Sequence, residues 1–183
     1  MVVTKTPVCN FGEKALNFAL LSTKNQIIKY SDVKGKNGTL IMFICNHCPY
    51  VLAIIDDLNK TIKKLKELKV GCVAIMSNDY TKYPEDNFEK MKEISLKKGF
   101  SFPYLLDETQ LVAKSFNAVC TPDFFGYNKF DELQYRGRYK NLTNLKFKKN
   151  EKNELFEAMM IISKTGVGPE KQYPSMGCSI KWK

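Results

Sequence analysis

The chain has 183 residues, of which 44% are hydrophobic and 26% charged, and a formal net charge of +10. This length predicts one domain spanning residues 1–183, and the composition excludes a disordered or collagen-like chain. The positive charge comes almost entirely from scattered lysines, with guanidinium groups only at Arg136 and Arg138, so we expect no nucleic-acid partner.

The first half of the chain predicts a hairpin followed by a strand, a helix and a second strand. Two apolar stretches in residues 18–28 flank a polar turn and indicate the hairpin. Residues 39–44, TLIMFI, are apolar throughout, which is typical of a strand buried on both faces of a central sheet. Apolar side chains recur every three or four positions over residues 49–68, which predicts an amphipathic helix. Residues 70–76 predict a buried strand parallel to the first.

The second half predicts further helices and an antiparallel hairpin at the other edge of the sheet. In chain order, the predicted elements are a helix at 84–98, a short strand at 104–106, a short helix at 108–116, two strands within 116–128 and 132–139, and a helix at 151–164. The glycines and prolines from about residue 165 predict an irregular C-terminal tail. Together these elements predict an α/β fold with a mixed central sheet flanked by helices.

The cellular compartment that we expect for the protein decides whether its cysteines form structural disulfides. The first residues contain no apolar run typical of a signal peptide, and no segment offers about 18 consecutive apolar residues, so we expect a cytoplasmic protein with no membrane partner. Cytoplasmic thiols are kept reduced. We therefore expect the six cysteines to be catalytic or buried rather than structural disulfides: Cys9, Cys45, Cys48, Cys72, Cys120 and Cys178.

The pair Cys45 and Cys48 lies between the predicted buried strand and the predicted amphipathic helix. A helix N-terminus stabilises a thiolate through its dipole and its unpaired NH groups, so we expect Cys45 to have a lowered pKa and to act as a nucleophile. His47, between the two cysteines, can add positive charge to that thiolate, which favours the dithiol form and makes the couple more oxidising.

Three other interpretations of this motif remain open. A single Cys-x-x-Cys supplies half of a structural zinc site, but the sequence has no second pair and no other histidine. Cys45, His47 and Cys48 could also hold copper as soft ligands. Inert core cysteines are the third alternative, although strand-to-helix junctions are where open α/β sheets place their ligand sites.

The stretches FICNHCPYV, CTPDFF, YRGR and GCSIKWK together resemble the thioredoxin superfamily, in particular a peroxiredoxin-like branch related to alkyl hydroperoxide reductase and thiol-specific antioxidant proteins. The resemblance covers nearly the whole chain and implies a thioredoxin-like fold. By this resemblance Thr121 and Pro122 match the Thr-cis-Pro loop that faces the active-site disulfide and holds a substrate backbone. Cys45 matches the attacking cysteine and Cys48 the resolving one.

Departures from the family patterns give a second candidate activity. Cys48 and Pro49 fit the end of the Thr-x-x-Cys-Pro segment of peroxiredoxins, with Cys45 in place of the threonine, so Cys48 could be a peroxidatic cysteine. That family also uses an arginine just before the DFF-like strand, where this chain has Thr121. Without a guanidinium group the developing negative charge is less stabilised. Peroxidase activity is therefore the alternative and not the first choice.

The sequence thus predicts a thiol-disulfide oxidoreductase in which Cys45 attacks a substrate disulfide and Cys48 resolves the mixed disulfide. The expected substrates are a protein disulfide, a small disulfide or a hydroperoxide, with a thioredoxin or a reductase as recycler. No metal and no organic cofactor is expected, and copper or zinc handling is the remaining alternative.

Two further cysteines are candidate redox residues, Cys120 and Cys178. Ile180 and Trp182 follow Cys178 at alternate positions, which predicts that the tail docks as an extended segment with both side chains buried. Docking would fix Cys178, and the neighbouring lysines would help to keep it partly deprotonated. We therefore expect a disulfide between Cys178 and an active-site cysteine in mildly oxidised protein.

Overall fold

Ten strands and five α-helices make up the computed structural model, which describes residues 3–148 and 150–183. The strands are β1 (Val3–Lys5), β2 (Ala19–Ser22), β3 (Ile27–Lys29), β4 (Thr39–Phe43), β5 (Gly71–Met76), β6 (Tyr104–Leu106), β7 (Cys120–Thr121), β8 (Asp123–Tyr127), β9 (Leu133–Tyr135) and β10 (Met176–Ser179). The helices are α1 (Tyr30–Val33), α2 (Pro49–Glu67), α3 (Phe88–Lys97), α4 (Leu111–Ser115) and α5 (Glu154–Thr165), with a 3-10 turn at Pro84–Asp86.

The central sheet has seven strands in the order β3-β2-β6-β5-β4-β8-β9. β4 pairs in parallel with β5, and β5 with β6, whereas the other neighbours are antiparallel. The predicted mixed α/β fold, the hairpin of β2 and β3 and the edge hairpin of β8 and β9 are confirmed.

Alternate residues of β4 pack into two different hydrophobic clusters, so that strand is buried on both faces as predicted. Leu40 and Met42 contact the cluster formed with α2 and α5, whereas Ile41 and Phe43 contact the cluster formed with α1 and α4. Burying this apolar surface on both sides stabilises the sheet and fixes the end of β4, where the Cys-x-x-Cys motif begins.

Two predicted elements are divided in the structure. The helix predicted over 84–98 is interrupted at Asn87, whose side chain accepts a hydrogen bond from the Lys90 amide and caps α3. The strand predicted over 116–128 is divided at Pro122, since the Thr121–Pro122 peptide is cis and separates β7 from β8. The cis bond agrees with the Thr-cis-Pro loop that the family resemblance implies.

The prediction of an irregular tail is wrong for residues 176–179, which form β10 at the centre of a three-stranded sheet, β1-β10-β7. β10 contains Gly177, where any side chain would overlap the Thr121 carbonyl. This glycine indicated a loop in the sequence, but in the fold it is needed because β10 and β7 approach each other closely. Cys178 lies opposite Thr121 in this register. Ile180 is buried as expected, but Trp182 is 40% exposed.

Candidate active site

Cys45 and Cys48 lie between β4 and α2, and they occupy different positions relative to the helix. Cys48 is the N-cap residue of α2, and its carbonyl accepts the first helical hydrogen bond, from the Leu52 amide at 2.9 Å. Cys45 precedes the helix and leaves β4 two residues after Phe43. The dipole of a 19-residue helix therefore acts most directly on Cys48.

The expected helix-start thiolate was Cys45, whereas the electrostatics of the pair favour Cys48. Hydrogen bonds with Cys45, Cys178 and Thr121 lower the pKa of Cys48 to about 5 against the opposing effect of burial. The same hydrogen bond to Cys48, together with burial and the charge of Asp86, raises the pKa of Cys45. The opposite directions of these two shifts favour a thiolate on Cys48 over one on Cys45.

Thr121 contacts both cysteines of the motif. Its hydroxyl lies 3.3 Å from the Cys45 sulfur, and its carbonyl lies 3.0 Å from the Cys48 sulfur. A protonated Cys48 donates a hydrogen bond to this carbonyl, whereas the thiolate accepts bonds from neighbouring donors. Thr121 and Pro122 thus face the Cys-x-x-Cys motif, and the structure brings both candidate loop residues into the site.

Cys178 joins the same cluster from the C-terminal strand. Its sulfur lies 2.8 Å from the Cys48 sulfur, and the residue is only 2% exposed. Burial and the nearby Cys48 raise the pKa of Cys178 to about 12, with Lys181 opposing the shift. The prediction that lysines keep this thiol partly deprotonated is therefore wrong for the reduced protein, although its predicted location next to an active-site cysteine is found.

His47 contacts a carboxylate that the sequence did not single out. Its Nδ1 lies 2.8 Å from Oδ2 of the fully buried Asp86, close enough for an ion pair but not aligned for a hydrogen bond. Asp86 also accepts hydrogen bonds at 2.7 Å from the Asn46 amide and the Asn78 side chain. It lies far along the chain in a segment predicted to be helical, and no motif marks it.

One group of the described residues can hold a metal ion, and it differs from the alternative copper set that the sequence suggested. Within residues 3–148 and 150–183 the one suitable group is Cys45, His47 and Asp86, whose ligand atoms lie within 4.8 Å of one another. The expected copper set contained Cys48 instead of Asp86. Three ligands leave a structural zinc site incomplete, and Asp86 already has three polar partners, so this donor set does not fit a closed zinc site.

Cys120 and Arg136 are close in the fold but are not brought into the sulfur cluster. The Cys120 thiol contacts the Pro122 carbonyl at 3.6 Å, and burial raises its pKa, so it remains protonated. Arg136 forms a buried ion pair with Asp123 at 3.0 Å and lies over the ring of Phe125. Its guanidinium group is thus held by the fold rather than directed at Cys48.

Access to the sulfurs is restricted, since Cys45 and Cys48 are 2% and 0% exposed. A cavity of about 310 Å³ opens beside Pro122, next to Tyr50 of the first turn of α2. Ser175 and Met176 line its other side, and the ammonium and guanidinium groups in its wall belong to Lys5, Arg138 and Lys140. This cavity therefore lies next to the Thr-cis-Pro loop.

No helix in the described ranges, 3–148 and 150–183, is both long enough and apolar enough to span a bilayer.

Similar solved structures include an uncharacterized conserved protein from Geobacillus kaustophilus, which is 38% identical, with 100% of this chain and 97% of that chain covered and a TM-score of 0.94. At lower identity, 15%, the peroxidoxin BcpB from Mycobacterium tuberculosis matches with 67% and 81% coverage and a TM-score of 0.56. The thioredoxin domain of a thiol-disulfide oxidoreductase from Bacteroides vulgatus matches at 17% identity, 69% and 86% coverage and a TM-score of 0.58. These two establish the thioredoxin-like fold.

Among curated proteins no sequence matches this chain. The model of the AhpC/TSA family matches residues 11–139, a segment that contains Cys45, Cys48, Thr121 and Pro122. That match covers well over half of the chain and agrees with the peroxiredoxin-like resemblance of the sequence motifs. The chain therefore belongs to the AhpC/TSA family, in the peroxiredoxin-like branch of the thioredoxin superfamily.

Proposed function

We propose that this protein is a thiol-disulfide oxidoreductase in which Cys45 and Cys48 alternate between the dithiol and the disulfide. The observation that carries this proposal is the thiol pair at the start of α2, where Thr121 contacts the Cys45 and Cys48 sulfurs at 3.3 and 3.0 Å and a hydrogen bond with Cys45 lowers the pKa of Cys48. A thiolate is the nucleophile in disulfide exchange, and a neighbouring thiol is the group needed to resolve the product.

The charge distribution supports attack by Cys48, the reverse of the order expected from the family resemblance. The Cys48 thiolate attacks one sulfur of a substrate disulfide, forms a mixed disulfide and releases the other sulfur as a thiolate. Cys45 then loses its proton and attacks the Cys48 sulfur, which forms the Cys45–Cys48 disulfide and releases the second substrate thiol. The substrate gains two electrons, and the protein loses two.

Trapping the mixed disulfide tests this order. In Cys48→Ser, insulin disulfide reduction should fall to background, because no thiolate is available for attack. In Cys45→Ser combined with Cys178→Ser, a mixed disulfide should accumulate on Cys48 and be located by mass spectrometry after alkylation. A mixed disulfide that accumulates on Cys45 in Cys48→Ser would instead support the order with Cys45 as the attacking residue.

Peroxidase activity is the second candidate because Cys48 is a buried thiolate followed by Pro49 in the first turn of the helix. A hydroperoxide would oxidise Cys48 to a sulfenic acid and leave as an alcohol, and Cys45 would then form the disulfide with release of water. Against it, Thr121 replaces the family's arginine, and Arg136 is paired with Asp123. Consumption of hydrogen peroxide with a dithiol recycler distinguishes the two activities.

For turnover, the disulfide must be reduced again, and we propose a thioredoxin or a thioredoxin-type reductase in the cytoplasm as the electron donor. The cavity beside Pro122 contains cationic groups from Lys5, Arg138 and Lys140. Two of them are paired, Arg138 with Glu154 and Lys140 with Asp57. The same surface can therefore accept a protein segment with modest negative charge next to the disulfide.

A further inference from the structure

Cys178 is held next to Cys48 by the pairing of three strands rather than by local sequence. It occupies β10 opposite Thr121 of β7 on one side and Val3 of β1 on the other. The Ser175 hydroxyl donates a hydrogen bond at 2.7 Å to the Pro122 carbonyl, which ties the start of this strand to the active-site loop.

The residues after Cys178 hold the other end of the strand. Ile180 is 3% exposed, and its amide donates to the Val119 carbonyl at 3.1 Å. The amide of Lys181 donates to the Asn78 side chain, and its carbonyl accepts a bond from Gln110. With both ends fixed, the Cys178 sulfur stays at its 2.8 Å distance from Cys48, against about 2.05 Å in a disulfide bond.

We propose that Cys178 is a second resolving thiol for Cys48, so that oxidised protein contains a Cys48–Cys178 disulfide in exchange with the Cys45–Cys48 disulfide. The proposal rests on the proposed disulfide exchange at Cys48. It extends the site from a two-cysteine motif to three sulfurs, of which Cys48 is the shared member.

The chemistry balances by either of two routes. In the first, Cys178 loses its proton and attacks the Cys48 sulfur of a mixed disulfide, which forms the Cys48–Cys178 bond and releases the substrate thiol. In the second, Cys178 attacks Cys48 within the Cys45–Cys48 disulfide, one S–S bond forms as another breaks, and the proton passes from Cys178 to Cys45. The second route needs no oxidant, because it only transfers the disulfide between partners.

The charge of Cys48 controls when Cys178 can react. In the reduced protein burial and the Cys48 sulfur raise the pKa of Cys178 to about 12, so this thiol is inactive. Once Cys48 is bonded to another sulfur it has no charge, and the repulsion that opposes Cys178 ionisation disappears. Burial then still raises the pKa of Cys178, and the charge of Lys181 lowers it.

Disulfide mapping of the full-length protein tests this inference. Trypsin releases Cys45 and Cys48 together in the peptide of residues 37–60 and Cys178 in the peptide of residues 172–181. The reduced protein is treated with a small disulfide, blocked with an alkylating reagent, digested and analysed by mass spectrometry. We expect the cross-linked pair of peptides in the wild-type protein, and as the main oxidised product in Cys45→Ser.

Three variants separate this inference from the proposed function. In Cys45→Ser the mixed disulfide should still be resolved, whereas in Cys45→Ser with Cys178→Ser it should persist. Equal persistence in both variants would overturn the relay and leave attack by Cys48 intact, whereas absence of any mixed disulfide in the double variant would contradict the proposed function itself. Cys9→Ser, which removes a thiol outside the cluster, is the control and should behave as wild type. Cys178→Ala replaces Cys178→Ser if the hydroxyl impairs folding.

Discussion

Thr121 is the residue through which the loop before Pro122 acts on both cysteines of the motif. Its hydroxyl contacts the Cys45 sulfur at 3.3 Å, and its side chain lowers the pKa of both Cys45 and Cys48. A hydroxyl that donates to a buried thiolate stabilises the charged form, since few other donors replace it in the absence of water. Thr121 therefore stabilises a thiolate in the motif, on which the proposed chemistry depends.

Replacing Thr121 by Val keeps the shape of the side chain and removes its hydroxyl. We expect the pKa of Cys48 to rise by about one unit, because a hydrogen bond to a charged group is lost. Thiolate absorbance as a function of pH, with alkylation rates at pH 6, measures the change. Thr121→Ser keeps the hydroxyl and is the matched control. Identical titration of the Val and Ser variants would exclude this role of Thr121.

His47 acts near Cys45 through its contact with Asp86. The Asp86 carboxylate raises the pKa of Cys45, and the His47 Nδ1 lies 2.8 Å from that carboxylate. His47→Gln removes from the motif the ring that can carry positive charge, so the Cys48 thiolate of the dithiol form is less stabilised and the reduction potential should fall by about 15 to 30 mV. Equilibration of the Cys45 and Cys48 couple in glutathione buffers measures it. An unchanged potential would leave His47 with only a structural role.

At the scale of elements, the parts that the sequence predicted well are those with dense local patterns. The continuous apolar run of β4 requires burial on both faces and the repeat of α2 requires burial of one face, and neighbouring residues alone reveal these requirements. β10 has four residues, one of them Gly177, and it becomes a strand only because the edges of β1 and β7 are available to it. Partners so distant in the chain leave no periodic signal near residues 176–179.

The C-terminal segment after β10 should be stabilised by Ile180 rather than by Trp182. Ile180→Ala empties a site that is 3% exposed, and it should lower the free energy of unfolding by about 2 to 4 kcal/mol. Trp182 is 40% exposed, so Trp182→Ala should cost less than about 1.5 kcal/mol despite the larger side chain. Denaturant unfolding of both variants provides the comparison. Equal losses would contradict the observed burial.

At the scale of the whole molecule, the site combines a local motif with contacts that depend on topology. The Cys-x-x-Cys motif and its position before a helix could be read from the sequence. The preference for a thiolate on Cys48 could not, because it depends on hydrogen bonds with Cys45, Cys178 and Thr121 and on the start of α2 at Pro49. Asp86 also reaches the site only through the folded chain, since its contacts come from Asn46, His47 and Asn78.

A buried thiolate should link the redox state of the protein to its stability. The folded pKa of Cys48, about 5, is lower than that of an unfolded thiol, so the reduced fold gains stability from the thiolate. This gain is complete above the unfolded pKa, still substantial at pH 7, and lost as the pH falls through about 5. The pKa values of the Cys45 and Cys178 thiols are raised, so both thiols are protonated in the folded and the unfolded chain at pH 7. They therefore add nothing to the pH dependence of stability below pH 7.

Oxidation consumes the Cys48 thiolate whether its partner is Cys45 or Cys178, so the stabilising charge exists only in the reduced protein. The free energy of unfolding of the reduced form, minus that of the oxidised form, should therefore decrease by about 2 to 3 kcal/mol between pH 7 and pH 4. Carboxylates also titrate over this range, but they do so in both redox forms and cancel in the difference. Guanidinium unfolding of each form at both pH values measures it. Cys48→Ala, which has only a reduced form, is the control: its stability should lose about 2 to 3 kcal/mol less between pH 7 and pH 4 than that of the reduced wild type. A difference that stays constant in the wild-type protein would show that Cys48 is not the stabilised thiolate. Stabilising the reduced form raises the reduction potential of a couple. The predicted decrease would therefore indicate that this couple has a higher reduction potential than thioredoxin, whose potential is about −270 mV.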